Sequence, residues 1–176
     1  LKHHMNFIQN CIQEQKTEEA LSYINEICTT LQSGAIQKYC ENESVNLILS
    51  SYIEKAQALQ IQTVISVTAT DFSRFQITDL CSLLSNALEN AIHACAQITY
   101  PEGRYINLKL YEKNEQLCIN LANSYEEEPA FENDIPISHK SGHGFGVQSM
   151  ISVVNKYSGI YGFFAENGEF RFQATF

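Results

Sequence analysis

The spacing of apolar residues along the chain predicts both helices and strands. Helices are predicted where apolar residues recur every three to four positions, which happens at 44–59, 75–97 and 146–157. Two narrower stripes with the same spacing precede them near the start of the chain. Their members are Leu1, Met5, Ile8 and Ile12 in the first stripe, and Leu21, Ile24, Cys28, Leu31 and Ala35 in the second.

Strands are predicted where apolar and polar residues alternate. The dipeptide Asn167-Gly168 between two such runs is typical of a tight hairpin turn. The acidic segment 125–141, which holds two of the three prolines, is predicted to be a loop. The predicted strands lie at 61–68, at 104–123 as a pair around Asn114, and at 160–165 and 169–176.

The order of these elements predicts the fold class. Because hairpins rather than helical crossovers join most of the strands, we expect an α+β sandwich with a mixed sheet covered by helices on one face. The two N-terminal stripes predict a helical hairpin at 1–36, ahead of a main domain at 37–176. So small a hairpin cannot bury both stripes by itself, and we predict that a second copy of the chain covers them. Packing of the hairpin on the main domain is the alternative.

Composition and charge narrow the classes of partner. The chain has 176 residues and a formal net charge of −9, which argues against a nucleic-acid or anionic membrane surface, since phosphate binding needs basic patches. The six cysteines are scattered without a C-x-x-C pair, which disfavours a zinc knuckle. No apolar run reaches the length of a membrane span. We therefore expect a cytosolic region, and the start within a helix indicates part of a longer protein.

The predicted helix 75–97 carries an unusual polar face. At about 100° per residue, Asn86, Asn90 and His93 lie together opposite the apolar side. A solvated surface explains such a face most simply. However, asparagine is a poor helix former, and a neutral amide oxygen suits a hard cation such as Mg²⁺. Both interpretations stay open at this point.

A glycine-rich segment lies just before the helix at 146–157. In "SGHGFGV", Gly142, Gly144 and Gly146 allow a close approach of the backbone, and the start of the helix presents free N–H groups to an anion. Lys140 could add a positive charge. A flexible loop would have the same composition.

Together these two segments resemble a known family. "LLSNALENAIHAC" is similar to the N box, and "HKSGHGFGVQSM" to the second glycine box, of the GHKL superfamily, which includes gyrase, MutL and sensor histidine kinases. The resemblance covers 45–176 and is strongest to quorum-sensing and peptide-sensing kinases. It implies a two-layer α/β sandwich of the Bergerat (GHKL ATPase) type that binds ATP and Mg²⁺.

The resemblance also implies residue roles. Asn90 would bind Mg²⁺ and Asn86 would lie beside the triphosphate, while His93 falls where many kinases carry a basic residue or Glu. Asn123 falls where most members place an Asp that reads adenine, and its own NH₂ adds a donor there. The usual glycines after that Asp are replaced by "SYEEEP", and the late adenine-binding Thr is missing. The implied phosphate segment comprises Lys140, Gly142, His143, Gly144, Phe145 and Gly146.

The first residues, "LKHHM", resemble the phosphoacceptor string "LRHDM" of these kinases. The likeness implies that His3 accepts the phosphoryl group, with His4 in place of the usual acid as the group that takes up the proton. Phe7 replaces an Asn that relatives often carry. A solvated surface pair of histidines, or the trace of a cloning tag, is the alternative.

We therefore expect the cytosolic core of a two-component sensor histidine kinase. It would form a homodimer, transfer the γ-phosphoryl of ATP to a histidine and then to a response regulator, and belong to an integral membrane receptor through a preceding sensor region. A catalytically degenerate GHKL-fold regulator, acting by dimerisation and protein binding, is the alternative. An ATPase of the gyrase kind is disfavoured, because the amide of Asn86 cannot take a proton from water.

Overall fold

The computed structural model describes residues 38–137 and 145–176, together with Lys16, Thr17 and Leu21. The predicted helical hairpin and the segment 138–144 lie outside the described residues, so the hairpin and the domain boundary stay predictions. Within the described part, no helix is long and apolar enough to cross a membrane.

The helices and strands follow the predicted order. Asn42 caps the first helix by accepting a hydrogen bond from the backbone N–H of Val45. The elements are α1 (Glu43–Ala58), β1 (Gln62–Val67), α2 (Ile77–Ala96), a 3₁₀ turn (Pro101–Gly103), β2 (Tyr105–Lys113), β3 (Gln116–Ser124), β4 (Ala130–Glu132), β5 (Ile135–Ile137), α3 (Phe145–Lys156), β6 (Ile160–Glu166) and β7 (Glu169–Thr175).

Five of the strands form one mixed sheet in the order β1-β2-β3-β7-β6. The β1 and β2 strands are parallel, and every other neighbouring pair is antiparallel. The turn that joins β2 to β3 has left-handed φ angles at Asn114 and Glu115, and the turn between β6 and β7 has them at Asn167 and Gly168. These are two-residue hairpin turns, which match the twist of the strands. The predicted mixed sheet is therefore confirmed.

One predicted loop contains a small sheet. The β4 and β5 strands pair in antiparallel fashion within 125–141, with Ala130 opposite Ile137. Asn133 and Asp134 both have left-handed φ angles, of 50° and 62°, and form the turn between them. Asn and Asp adopt this conformation more readily than other residues with a Cβ atom. The prediction of an irregular loop was thus wrong for this part of the segment.

The core lies between the sheet and the helices, which cover one face. Alternate residues of β3, namely Leu117, Ile119 and Leu121, are buried in this core, as expected for a strand with one covered face. The central helix α2 contacts both α1 and α3 as well as the sheet. Its buried stripe is wide for this reason, and comprises Leu80, Leu83, Leu84, Ala87, Leu88, Ala91, Ile92 and Cys95.

The last turn of α2 is joined to the sheet through a buried thiol. Cys95 is fully buried, its Sγ donates to the carbonyl oxygen of Tyr105 at 3.2 Å, and it lies 3.5 Å from both Ser124 O and Ser124 Oγ. Burial raises the pKa of this thiol. Because Tyr105 begins β2 and Ser124 ends β3, the single side chain ties α2 to both strands.

At the end of α3, two different residues provide the left-handed φ angle and the close backbone packing that a single glycine commonly provides. Ser158, with φ of 55°, adopts the left-handed conformation, and the N–H of Gly159 donates to Val154 O at 2.9 Å. A Cβ atom on Gly159 would lie only 2.7 Å from the carbonyl oxygen of Thr175. This glycine, which comes just after the helix predicted at 146–157, is therefore needed for close packing on β7.

Candidate functional site

The polar face of α2 contacts α3. Near the start of α2, Lys156 Nζ and the hydroxyl of Tyr157 both donate to Asp79 Oδ2, at 2.6 and 2.7 Å. One turn further along, Ser82 Oγ lies 3.5 Å from Ser149 Oγ of α3. Asp79, Ser82 and Asn86 therefore line a contact between α2 and α3, whereas Asn90 and His93 are exposed, so a solvated face describes only those two.

Asn86 is held with its amide group in one orientation. Its Nδ2 donates to the backbone carbonyl of Ser82 at 2.8 Å, and it lies 3.4 Å from both Ser82 Oγ and Ser149 Oγ. The amide oxygen is directed to the start of α3. A Cβ atom on Gly146 would lie 3.1 Å from this oxygen.

Asn90, one turn further along α2, has the same arrangement. Its Nδ2 donates to the thioether of Met150 at 3.8 Å, and its oxygen would lie 3.7 Å from a Cβ atom on Gly146. Gly146 does not have a left-handed φ angle, so the close approach of the Asn86 oxygen, and not the backbone conformation, is what a Cβ atom would disturb there. Among the described residues, no hydrogen-bond donor reaches either amide oxygen.

This pair of oxygens suits Mg²⁺. The ion prefers oxygen ligands and usually keeps water and ligand phosphate in its remaining positions. The described part of the chain has no cluster of three or more His, Cys, Asp or Glu side chains that could hold a metal. The space that a Cβ on Gly146 would occupy lies beside Asn86 and Asn90, and the N–H groups of the first turn of α3 favour a bound anion next to it. Mg²⁺ held by these two oxygens together with phosphate fits the residues present.

A mostly apolar cavity of about 160 Å³ adjoins Asn90. Cavities of about 150 Å³ are large enough for a benzene-sized ring. In the described part of its wall, Glu127 is the only charged residue, so the cavity is suited to an uncharged ring system. It is lined by Ala87, Asn90, Ala91, Ala94, Leu121, Asn123, Tyr125, Glu127, Pro129, Pro136, Val147, Met150, Phe163, Phe170 and Phe172.

Asn123 supplies a hydrogen-bond acceptor in the wall of this cavity. The side chain is 2% exposed, and its Nδ2 donates to the carbonyl oxygen of Ser124 at 3.0 Å. No donor among the described residues bonds to its oxygen. Every fully buried side-chain N or O in that part of the chain has a partner, so this oxygen is accessible from the cavity. Asn123 therefore offers its oxygen to a ligand and uses its NH₂ internally.

The segment after β3 forms the outer wall of the cavity. Glu126 fixes its start, because the carboxylate accepts hydrogen bonds from the N–H and the hydroxyl of Thr99, at 2.6 and 3.1 Å. Further along, Phe131 of β4 stacks on Phe170 of β7, with ring centroids 6.4 Å apart. Sequence reasoning missed this wall and the aromatic side opposite it. The alternating phenylalanines of β6 and β7 (Phe163, Phe170 and Phe172) were the available signal.

The predicted site residues separate into three groups. Asn86, Asn90 and Gly146 lie together, and Asn123 lies in the adjoining cavity. His93 is exposed in the last turn of α2, with its Nε2 2.7 Å from Gln97 Nε2, and is not among the residues that line the cavity. The backbone of Phe145 begins α3. His3, His4, Lys140, Gly142, His143 and Gly144 lie outside the described residues, so their roles stay predictions.

Comparisons with known proteins agree with this architecture. The pattern of a family described as the GHKL domain matches residues 75–176. The fold is similar to the catalytic domain of histidine kinase ThkA, with a TM-score of 0.60 and 16% identity over 79% of this chain and 94% of that one. It is also similar to histidine kinase AdeS of Acinetobacter baumannii (TM-score 0.54, 10% identity, covering 99% and 95%) and to the mycobacterial sensor histidine kinase MprB (0.52, 16%, 73% and 90%). No curated protein matches the chain.

Proposed function

Because the chain belongs to the GHKL family, we propose that it is the core of a two-component sensor histidine kinase, which binds Mg·ATP between α2 and α3. Its γ-phosphoryl group would pass to His3 and then to a response regulator. We also propose a homodimer that is part of a membrane receptor of the quorum-sensing or peptide-sensing type.

One observation carries the nucleotide-binding part of this proposal. The oxygens of Asn86 and Asn90 approach the same point at Gly146, directly beside an apolar cavity with an acceptor in its wall. An uncharged base in the cavity would place a phosphate chain toward the start of α3. When bound, Mg²⁺ supplies neutralisation of the phosphate charge. The chain's own contribution is to orient the two amide oxygens and to offer N–H groups to the phosphate.

The transfer step is proposed for His3. A neutral imidazole nitrogen attacks the γ-phosphorus, the bond to the bridging oxygen of ADP breaks, and His4 takes up the ring proton. His4 has no fixed negative charge to stabilise the ring cation that forms during this step. We therefore expect slower transfer than a carboxylate in its place would give.

Labelled phosphate from ATP tests the transfer. We expect stable labelling of the full chain, and loss of the label in His3→Ala and in Asn90→Ala. Asn155→Ala is the matched control, because Asn155 is exposed on α3 away from Gly146 and should leave labelling unchanged. Equal labelling of His3→Ala and Asn90→Ala relative to the unmodified chain would rule out the assigned residues.

The amide oxygen of Asn123 predicts a preference for a base that carries an exocyclic amino group. An exocyclic amino group, as in adenine, can donate to its oxygen, whereas the 6-oxo group of hypoxanthine cannot. Calorimetric titration should therefore show ATP binding about tenfold more tightly than inosine triphosphate. Asn123→Leu, which removes the acceptor, should abolish this preference. Equal affinities of the unmodified chain for the two nucleotides would contradict the role of Asn123.

A second candidate function is the degenerate regulator, and one observation favours it. Tyr125, Glu127 and Pro129 line the cavity in the segment where the family resemblance implies glycines. Their bulk narrows the space for a nucleotide. Titration of the full chain with Mg·ATP separates the two functions. Metal-dependent binding below millimolar concentration would count against the regulator, and no binding at millimolar concentration would favour it.

A further inference from the structure

We propose that Ser149 and Met150 of α3 are positioning residues, which hold the amide groups of Asn86 and Asn90 so that their oxygens face the metal. This inference rests on the proposed binding of Mg·ATP. It adds two residues that act on the metal through the asparagines, one of which, Met150, also lines the cavity proposed for the base.

The contacts are sequential on both helices. Ser149 Oγ lies 3.4 Å from Asn86 Nδ2, and Met150 Sδ accepts from Asn90 Nδ2 at 3.8 Å. Asn86 and Asn90 are one helical turn apart on α2, whereas Ser149 and Met150 are neighbours on α3. One short stretch of α3, on the same helix face as Gly146, therefore contacts both asparagines.

The orientation of an asparagine amide needs such contacts. The last torsion of this side chain is broad and roughly two-fold, so rotation exchanges the oxygen and the NH₂ at little intrinsic cost. After that exchange an NH₂ group would face the cation and an oxygen would face the acceptors of α3. Both of these contacts are repulsive, and the acceptors on α3 therefore favour the orientation that binds a metal.

The amide orientation of Asn90 depends more on α3 than the amide orientation of Asn86 does. Asn86 Nδ2 also donates to the backbone carbonyl of Ser82 at 2.8 Å, which no side-chain substitution removes. Met150 is the one described partner of the Asn90 NH₂. Met150 is 2% exposed but Asn90 is itself exposed, so without the sulfur its amide would be solvated by water, which fixes neither orientation. Loss of the acceptor at Met150 should therefore disturb the metal site more than loss of the acceptor at Ser149.

The test measures how much a metal strengthens nucleotide binding. Mn²⁺ and a non-hydrolysable ATP analogue are titrated onto the full chain, and the ratio of the Kd without metal to the Kd with metal is determined. In Met150→Leu, which keeps the side chain apolar and of similar volume, we expect this ratio to fall about tenfold. Because Met150 also lines the cavity proposed for the base, both Kd values can change, and the ratio isolates the effect on the metal. Ser149→Ala, which removes the hydroxyl, should lower the ratio less than Met150→Leu does. Ser149→Thr, which keeps a hydroxyl, should leave the ratio as in the unmodified chain.

Matched controls separate positioning from packing. Ser152→Ala changes an exposed serine of the same helix, and Met5→Leu changes the only other methionine of the chain, so both should leave the ratio unchanged. An unchanged ratio in Met150→Leu, which means equal weakening with and without metal, would overturn the inference. If the unmodified chain shows no metal-dependent nucleotide binding, the proposed function itself is wrong.

Discussion

Gly146 lies in the first turn of α3, where its neighbours and not its backbone conformation disfavour a side chain. Glycine inside a helix is less stable than alanine by about 0.5–1 kcal/mol. The position is occupied by glycine although its φ angle does not require one. The two amide oxygens of α2 approach the place where a Cβ atom would lie, the nearer at 3.1 Å.

The substitution Gly146→Ala should therefore change stability and binding in opposite directions. The added methyl group raises the helix propensity of α3 and pushes on Asn86, which displaces one of the two oxygens. We expect unfolding in urea to show unchanged or higher stability. Mg·ATP affinity measured by calorimetry should fall at least about tenfold, since orienting interactions of a metal site are typically worth that much. A drop in stability together with unchanged affinity would contradict this account of Gly146.

For single residues, the sequence predicts which positions form the candidate site better than it predicts which atoms form the contacts. The positions of Asn86, Asn90 and Gly146 were predictable from helical periodicity and from the glycine-rich segment. That Asn123 uses its NH₂ on Ser124 O was not, since the geometry of the strand end decides it. For the same reason the sequence could not show that Ser158, and not Gly159, has the left-handed φ.

Among the elements, α2 and α3 are joined at two places, and the end away from Gly146 carries an ionic contact. Asp79 accepts from Lys156 and from Tyr157, and these hydrogen bonds lower the pKa of its carboxyl, the one from Lys156 most. Tyr157 also accepts from the backbone N–H of Gln76 at 2.8 Å. The contact fixes the start of α2 against the end of α3.

The lowered pKa predicts how the stability of this contact depends on pH. The carboxylate of Asp79 binds protons less readily in the folded than in the unfolded chain, so its stabilising effect is complete above the unfolded pKa of about 3.9. That effect is lost as the pH falls through the lower, folded value. The difference in unfolding free energy between the unmodified chain and Asp79→Asn should be constant from about pH 5 to 8 and should decrease below about pH 4.

Urea unfolding at a series of pH values measures this difference. Asp134→Asn is a suitable control, because Asp134 lies in an exposed turn where Asn also tolerates the left-handed φ of 62°. The control should not alter the stability at any pH in the series. A difference for Asp79→Asn that grows in acid would contradict the assigned role of the carboxylate.

Long elements were predictable because their periodicity extends over many residues. The α2 helix and the β2–β3 and β6–β7 hairpins follow from spacing and from polar turn residues. The short strands β4 and β5 were not predictable, since three residues are too few to show an alternation. Their pairing is helped by the contact between Phe131 and Phe170, which are distant in sequence. Contacts of that kind leave no local pattern.

For the whole molecule, the central prediction is that two copies associate through the N-terminal hairpin. Ile8 belongs to the first apolar stripe, whereas Gln9 lies beside it in sequence. Ile8→Asp should convert a dimer into a monomer in analytical ultracentrifugation, and Gln9→Asp, with the same added charge, should not. Mg·ATP affinity should be equal in both variants, because α2 and α3 lie within 38–176. A dimer that persists in Ile8→Asp would contradict association through this stripe.

The rate at which the buried thiol of Cys95 is modified can report local opening of the folded chain. A thiol-reactive reagent requires an accessible thiolate, and this side chain is fully buried with a raised pKa. Modification of Cys95 therefore requires the last turn of α2 to separate from β2 and β3. Its rate, compared with that of the half-buried Cys40 and Cys81, measures how often this part of the molecule opens. A nucleotide held by Asn90 and Asn123 would slow that rate without contacting the sulfur.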